Sequence, residues 1–199
     1  MPPAPPGSPG LPLIRSCRYL CPWEPLKQAF QWRTEAGTVI IRLATRPGDL
    51  GEVVALHGRL YAEEYAMDQS MEAYCGAGIC RFALDRLERG EQVGEMWVAE
   101  DDGRILGSIA MLAEEGMGRL RWLLLHPDLR GRGAGRKLVE TSMDYARGRG
   151  FPGVFLTTIS GLDAAHHLYR QAGFELTGDE PVSKWGIETR EQRFDLKFG

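Results

Sequence analysis

The stretch Leu120-Arg121-Trp122-Leu123-Leu124-Leu125-His126-Pro127-Asp128-Leu129-Arg130-Gly131-Arg132-Gly133-Ala134-Gly135 decides how the rest of the chain is read. An apolar run ends at His126-Pro127, a glycine-rich turn follows, and RKLVETSMDYARGRG (136–150) then shows helical periodicity. A buried strand therefore enters a glycine turn that opens a helix. The first turn of a helix carries backbone N–H groups with no partner inside the helix, and the macrodipole adds partial positive charge there. Glycines let an anion approach that backbone closely, so strand, glycine turn and helix together make a seat for phosphate.

Downstream, Phe155-Leu156-Thr157-Thr158-Ile159 reads as a short buried strand. Because a helix intervenes, this strand is expected parallel to Leu120–Leu125 through a right-handed crossover. Leu162 to Gln171 is expected as a helix closed by Ala172-Gly173, with Gly173 beyond its end. Phe174–Leu176 and Gln192–Phe198 read as a final strand pair, joined by a long loop from Gly178 to Glu191.

Upstream, Thr38 to Leu43 is the first clear strand, and Arg46-Pro47-Gly48-Asp49 is a turn that starts a helix marked by Val53, Val54, Leu56, Leu60, Tyr61 and Tyr65. A break at Met67-Asp68 leads to a second helix, with Met71, Cys75, Ile79, Phe82 and Leu87 on its apolar face. Glu95–Glu100 and Arg104–Glu114 are strands around an Asp-Gly turn at Asp102-Gly103, and Gly116-Met117-Gly118 turns into the strand that ends at His126. The order β-α-α-β-β-β-α-β-α-β-β predicts one α/β (α+β) domain over 38–199, a mixed, mostly antiparallel central sheet with helices on both faces. Residues 1–37 are read as a proline-rich, disordered N-terminal extension: 1–13 hold six prolines, and 14–37 are read as an upstream extension that the fold does not need, with a short amphipathic helix or a segment docked on the domain as the alternative.

Composition narrows the function classes. The 199 residues carry a net charge of −3, which gives no general attraction to nucleic acid or to anionic membrane. No apolar run reaches membrane-spanning length and no secretory leader is evident, so a cytoplasmic location is expected. Cys17 and Cys21, and Cys75 and Cys80, are spaced more widely than most structural zinc pairs. They are read as reduced thiols with Cys75 and Cys80 partly buried, and no metal is expected. The adjacent His166 and His167 point in different directions on a helix and make no metal pair. The glycine turn is not a P-loop, since no GxxxxGK[ST] runs through Gly131–Lys137, and it is not a dinucleotide fingerprint, since Arg136 stands where a third glycine belongs.

Arg130, Gly133 and Gly135 fit the Gln/Arg-x-x-Gly-x-Gly/Ala signature after a strand ending near Pro127, and Leu168-Tyr169-Arg170-Gln171-Ala172-Gly173-Phe174 fits a second motif, Leu-Tyr-x-x-x-Gly-Phe. With these motifs and this element order, the chain from about Val39 to Phe198 resembles the GNAT superfamily of N-acetyltransferases. Tyr61–Met67 and Glu188–Leu196 are more specifically similar to acetyltransferase domains fused behind MarR-type DNA-binding modules, although 1–38 are too short and proline-rich for such a module.

The resemblance implies acetyl-coenzyme A as co-substrate. Its pyrophosphate is expected on the backbone of Gly131, Arg132, Gly133, Ala134, Gly135 and Arg136, with charge from Arg130, Arg132, Arg136 and Lys137. Its pantetheine arm is expected against the backbone of Leu123, Leu124 and Leu125, where a strand amide polarises the thioester carbonyl. Tyr169 stands at the general acid position, beside the coenzyme sulfur. Tyr61, Glu64, Tyr65, Asp68 and Trp185 are the expected contacts to a small-molecule primary amine. Two positions depart from the pattern. Leu162 replaces an asparagine that contacts the coenzyme arm, and Arg119-Leu120-Arg121-Trp122 lacks the carboxylate that serves as general base, leaving only Glu114, Glu115 and His126 nearby in sequence. Acetylation of a protein N-terminus or lysine, and an acyl-coenzyme A sensor with little catalysis, stay open as alternatives. A homodimer is compatible with the fold, and no nucleic acid or membrane partner is expected.

Overall fold

The structure is a computed structural model that describes residues 30–34 and 37–199. Eight strands form one sheet: β1 (Phe30–Thr34), β2 (Gly37–Leu43), β3 (Gly94–Asp101), β4 (Arg104–Glu114), β5 (Met117–Leu125), β6 (Gly153–Ile159), β7 (Glu175–Lys184) and β8 (Ile187–Lys197). Their spatial order is β1-β2-β3-β4-β5-β6-β8-β7, and every neighbouring pair is antiparallel except β5 and β6. The helices are α1 (Asp49–Tyr65), α2 (Gln69–Arg89), α3 (Ala134–Gly148) and α4 (Asp163–Gln171). The fold is the α/β class expected from the sequence, with one strand more. β1 lies upstream of the first predicted strand and pairs with β2 as the sheet's outer edge. The remainder of the proline-rich segment, including Cys17 and Cys21, lies outside the described residues.

The two-residue period of β3 sorts the core into two layers. Trp97 and Ala99 pack on the side covered by α3, together with Leu138, Val139 and Met143. Met96 and Val98 pack on the other side, against Val53 of α1 and Met71, Cys75, Ile79 and Phe82 of α2. The α2 stripe departs from expectation at its end. The spacing that runs through Phe82 continues to Arg86, whose guanidinium reaches the Gly94 carbonyl at 2.6 Å, while Leu87 is 76% exposed. One residue is about 100° on a helix, so Leu87 is off the stripe. Of the two cysteines on this helix, Cys75 is buried and Cys80 exposed.

The segment from Gly178 to Glu191 is not a loop. β7 and β8 run as a long hairpin around Trp185-Gly186, whose φ values are 55° and 77°. Positive φ at both central residues matches the tight turns that suit strand twist. The pattern was hidden because β7 is an edge strand with mostly exposed side chains, so it carries no apolar alternation. An edge also tolerates Pro181, which would interrupt an inner strand.

Candidate active site

The site originates in a fault in β5. Ala110 pairs with Arg121 and Ser108 with Leu124, so Ile109 alone opposes Trp122 and Leu123. This is a β-bulge, with Trp122 at φ 51°. The Ser108 hydroxyl, fully buried, donates to the Trp122 carbonyl at 2.7 Å and holds it. The bulge reverses the alternation: Leu120 packs on the α3 side, whereas Trp122 packs on the α1–α2 side. It also turns the strand away from β6. The β5–β6 ladder contains only Gly118–Val154 and Arg119–Phe155, and beyond Arg119 the two strands part.

A cavity of about 320 Å³ opens at this divergence. Its walls come from β5 (Arg119 to Leu123), β6 (Leu156 to Ile159), both sheet-covering helices on one side, α4 and the β7–β8 turn. Tyr169 and Tyr61 line it, as does Trp185 from the late hairpin. A narrower channel of about 100 Å³ shares the Tyr61, Leu123, Leu162 and Ala165 walls and continues along Leu124 and Leu125 to Arg130, past Glu64 and Tyr65. Leu162 thus stands in the channel wall as an apolar surface.

Tyr169 is buried, with the Phe174 ring edge-on and the Phe194 ring tilted, each at 6.0 Å. Burial raises its phenol above the ordinary value, so it stays protonated. Tyr61 is raised too, by burial first and then by its neighbour Tyr169. His57 stacks on Tyr61 at 5.9 Å and lines the same cavity. Its Nδ1 lies 2.8 Å from the Val53 carbonyl; since a carbonyl only accepts, Nδ1 carries the proton and Nε2 is left as an acceptor. Burial lowers the imidazole to about 4, and Nε2 has no hydrogen-bond partner. Cys75, also on the wall, is pushed up to about 12 by burial and is an inert thiol.

At the far end of the channel the glycine turn has the conformation its sequence predicted. Gly131 and Gly133 have φ values of 73° and 81°, in the left-handed region. Gly135 is required for a different reason: a Cβ there would stand 2.6 Å from Leu125 and 2.8 Å from Leu168, where α3 abuts the strand. No side chain caps α3 and no acidic residue lies in its first turn. The basic side chains are more engaged than expected. Arg130 pairs with Glu64 at 2.7 and 2.8 Å and also donates to the Leu125 carbonyl. Arg132 pairs with Asp101 at 2.6 Å, tying the turn to β3. Arg136 is 74% exposed at the start of α3.

The structure therefore brings Tyr169, Tyr61 and Trp185 together, and places Glu64 and Tyr65 on the channel instead. Asp68 is not among the lining residues; it caps α2 through the Ser70 amide at 2.9 Å, and its own amide donates to the Trp185 carbonyl. Nor are Glu114, Glu115 and His126 on the cavity. Glu114 is paired with Arg119 at 2.7 Å, Glu115 sits in the β4–β5 turn at φ 52°, and His126 accepts from the Asp128 amide after β5. His57 and Arg121, both lining the cavity, were missed as side chains because each fits a structural pattern. His57 continues the Val53, Leu56, Leu60 stripe of α1, and Arg121 reads as a strand position facing solvent. Among the described residues no group of three or more metal-ligating side chains occurs, and no helix is long and apolar enough to cross a membrane.

Comparison with known proteins bears on the fold and the family. The Acetyltransferase (GNAT) family profile matches residues 60–174. The chain is 33% identical over 114 residues to mouse "Probable N-acetyltransferase family 8 member 5", a match covering 53% of this chain and 50% of that protein. It is 36% identical over 83 residues to "Uncharacterized N-acetyltransferase YjgM" of Escherichia coli K12, covering 40% of this chain and 50% of that protein. The chain thus spans about half the length of these relatives. Among solved structures, a ribosomal-protein-alanine N-acetyltransferase from Brucella melitensis superposes with a TM-score of 0.64 at 21% identity, over 79% of this chain and 99% of that one. A structure of "yncA, a putative ACETYLTRANSFERASE from Salmonella typhimurium with its cofactor Acetyl-CoA" gives 0.63 at 19% identity over 80% and 93%. These structures share the fold, and the profile covers more than half the chain with both motifs inside it. The chain belongs to the GNAT family of acetyltransferases.

Proposed function

We propose that this protein is an acetyl-coenzyme A-dependent N-acetyltransferase that acts on a primary amine of a small molecule. The observation that supports it best is the continuity of the site: an uncapped, glycine-opened helix start, an apolar channel and a cavity holding Tyr169 follow one another along β5. Acetyl-coenzyme A supplies the acetyl group as a thioester, so transfer forms a C–N bond, breaks a C–S bond, takes one proton from the amine and gives one to sulfur.

The chain's own groups match those needs. Amides of Gly131 to Arg136 bind the pyrophosphate, with Arg136 adding charge. The edge of β5 freed by the bulge offers Leu123 to Leu125 backbone to the pantetheine arm, and an amide there polarises the thioester carbonyl. Tyr169 serves as the proton donor to sulfur. His57, which lines the cavity with an unpartnered Nε2 and is neutral at working pH, is assigned as the acceptor for the amine proton.

Release of free coenzyme A thiol, followed across a panel of small amines and lysine or N-terminal peptides, tests this reading. Turnover on small amines is expected. Turnover confined to peptides would move the function to protein acetylation, and coenzyme binding by calorimetry without turnover on any acceptor would make the domain a sensor.

A further inference from the structure

Buried polar atoms in folded proteins are nearly always hydrogen-bonded, so the exceptions locate absent partners. Among the described residues the buried side-chain nitrogens without a partner are His57 Nε2, Trp97 Nε1, Arg119 Nε and Trp122 Nε1. Trp97 lies in the opposite layer, against α3. The other three belong to side chains that line one and the same cavity, that beside Tyr169.

These three atoms differ in sense, and the difference has a direction. His57 Nε2, on α1, is an acceptor because Nδ1 is committed to Val53. Trp122 Nε1 and Arg119 Nε, on β5, are donors. Beside them stands Arg121, brought next to Trp122 by the bulge. Its guanidinium lies 4.7 Å over the Trp122 ring and 5.6 Å from the Tyr74 ring, and it donates to the Tyr74 hydroxyl at 3.0 Å. The other cations on the wall are neutralised: Arg119 by Glu114 and Lys184 by Glu191. Arg121 has no carboxylate within 4.0 Å among the described residues, so the wall keeps one positive charge. Tyr74 and Trp185, 5.3 Å apart, place aromatic surface next to it.

A ligand that satisfies this wall presents N–H groups to α1 and a singly charged, oxygen-bearing anion to β5. Resting on the acetyltransferase reading above, we infer that the acceptor is an amine that also carries a carboxylate, an amino acid or an N-terminally free conjugate of one. The amine lies between His57 and Tyr169, the carboxylate between Arg121 and Trp122, and an apolar side chain faces Tyr74 and Trp185.

The test compares matched acceptors with the full chain, by coenzyme A thiol release: L-phenylalanine against L-phenylalaninamide, and L-methionine against L-methioninamide. The amides are the less basic amines and are more fully neutral at pH 7, so a preference for the acids cannot come from amine ionisation. We expect kcat/KM for the acids to exceed that for the amides by about tenfold or more, the range of a charge-assisted hydrogen bond. Arg121→Gln is expected to pull this ratio toward one, and Arg121→Lys to leave it intermediate. Amides used as well as acids by the native protein, or an unchanged ratio in Arg121→Gln, would overturn the inference. So would turnover restricted to amines without a carboxylate, which leaves the acetyltransferase reading intact. No turnover on any amine would overturn that reading as well. If Arg121→Gln fails to fold, the native ratio and the Arg121→Lys variant still decide.

Discussion

At the scale of single residues, the proposed chemistry depends on groups whose protonation is set by burial. Tyr169 sits among Phe174, Phe194 and His166, and its phenol is raised above the ordinary value. A phenol held neutral is a donor across the working pH range, so the pH–rate profile should show no falling limb from this group up to pH 10. Tyr169→Phe should preserve folding and coenzyme binding by calorimetry and lower kcat by about a hundredfold, the lower range for a removed general acid. An unchanged kcat would end the proposed role. Tyr169 was legible in the sequence because Leu168 and Gly173-Phe174 frame it. His57 was not, since an imidazole in a buried helical stripe looks like any core position until its two nitrogens can be told apart.

At the scale of elements, the bulge in β5 does three things at once: it parts β5 from β6, moves Trp122 to the α1–α2 side, and sets Arg121 beside it. A bulky residue at positive φ is strained by roughly 1–3 kcal/mol and needs its surroundings to hold it. Ser108 does so from the neighbouring strand. Ser108→Ala leaves a buried carbonyl unpaired, and should cost about 1–3 kcal/mol in urea unfolding while raising KM for acetyl-coenzyme A. Loss of stability with an unaltered KM would show that the bulge is held by other contacts. The strand, glycine turn and helix were readable because their residue types are dictated locally, by backbone φ and by apolar period. The β7–β8 hairpin was not. Its outer strand is solvent-facing, and a tryptophan occupies a turn position where glycine or asparagine is the usual signal.

At the scale of the molecule, burying a neutral histidine beneath the sheet ties stability to pH. His57 is held near 4 by burial, while an unfolded chain binds its proton near 6.5. As pH falls through 6.5 the unfolded state takes up the proton first, so stability present above 6.5 is lost progressively toward 4. The loss attributable to His57 should approach about 3 kcal/mol over that window. His166 is shifted in the same direction, by burial first. Asp49 acts lower in the range: burial works to raise its carboxyl, but Arg42, at 2.7 and 2.9 Å, and the Arg46 amide hold it below the usual value. Its stabilisation persists until pH falls below about 4. Urea unfolding at pH 7, 6 and 5 should show this decline in the native chain and a shallower one in His57→Gln. Equal slopes would mean that the imidazole is solvated or already partnered.

The sequence by itself determined the parts whose cause is local. Period and glycine placement specified the strand–turn–helix and the order of the elements, and two short motifs carried the family and the tyrosine proposed as proton donor. Only the tertiary structure decided the register fault between β4 and β5, and with it which residues share the cavity. A bulge depends on hydrogen bonds between strands, and unpaired donors and acceptors exist only after every other group has found its partner. Neither can be read from one segment of chain, because each is a property of what the other segments leave uncovered.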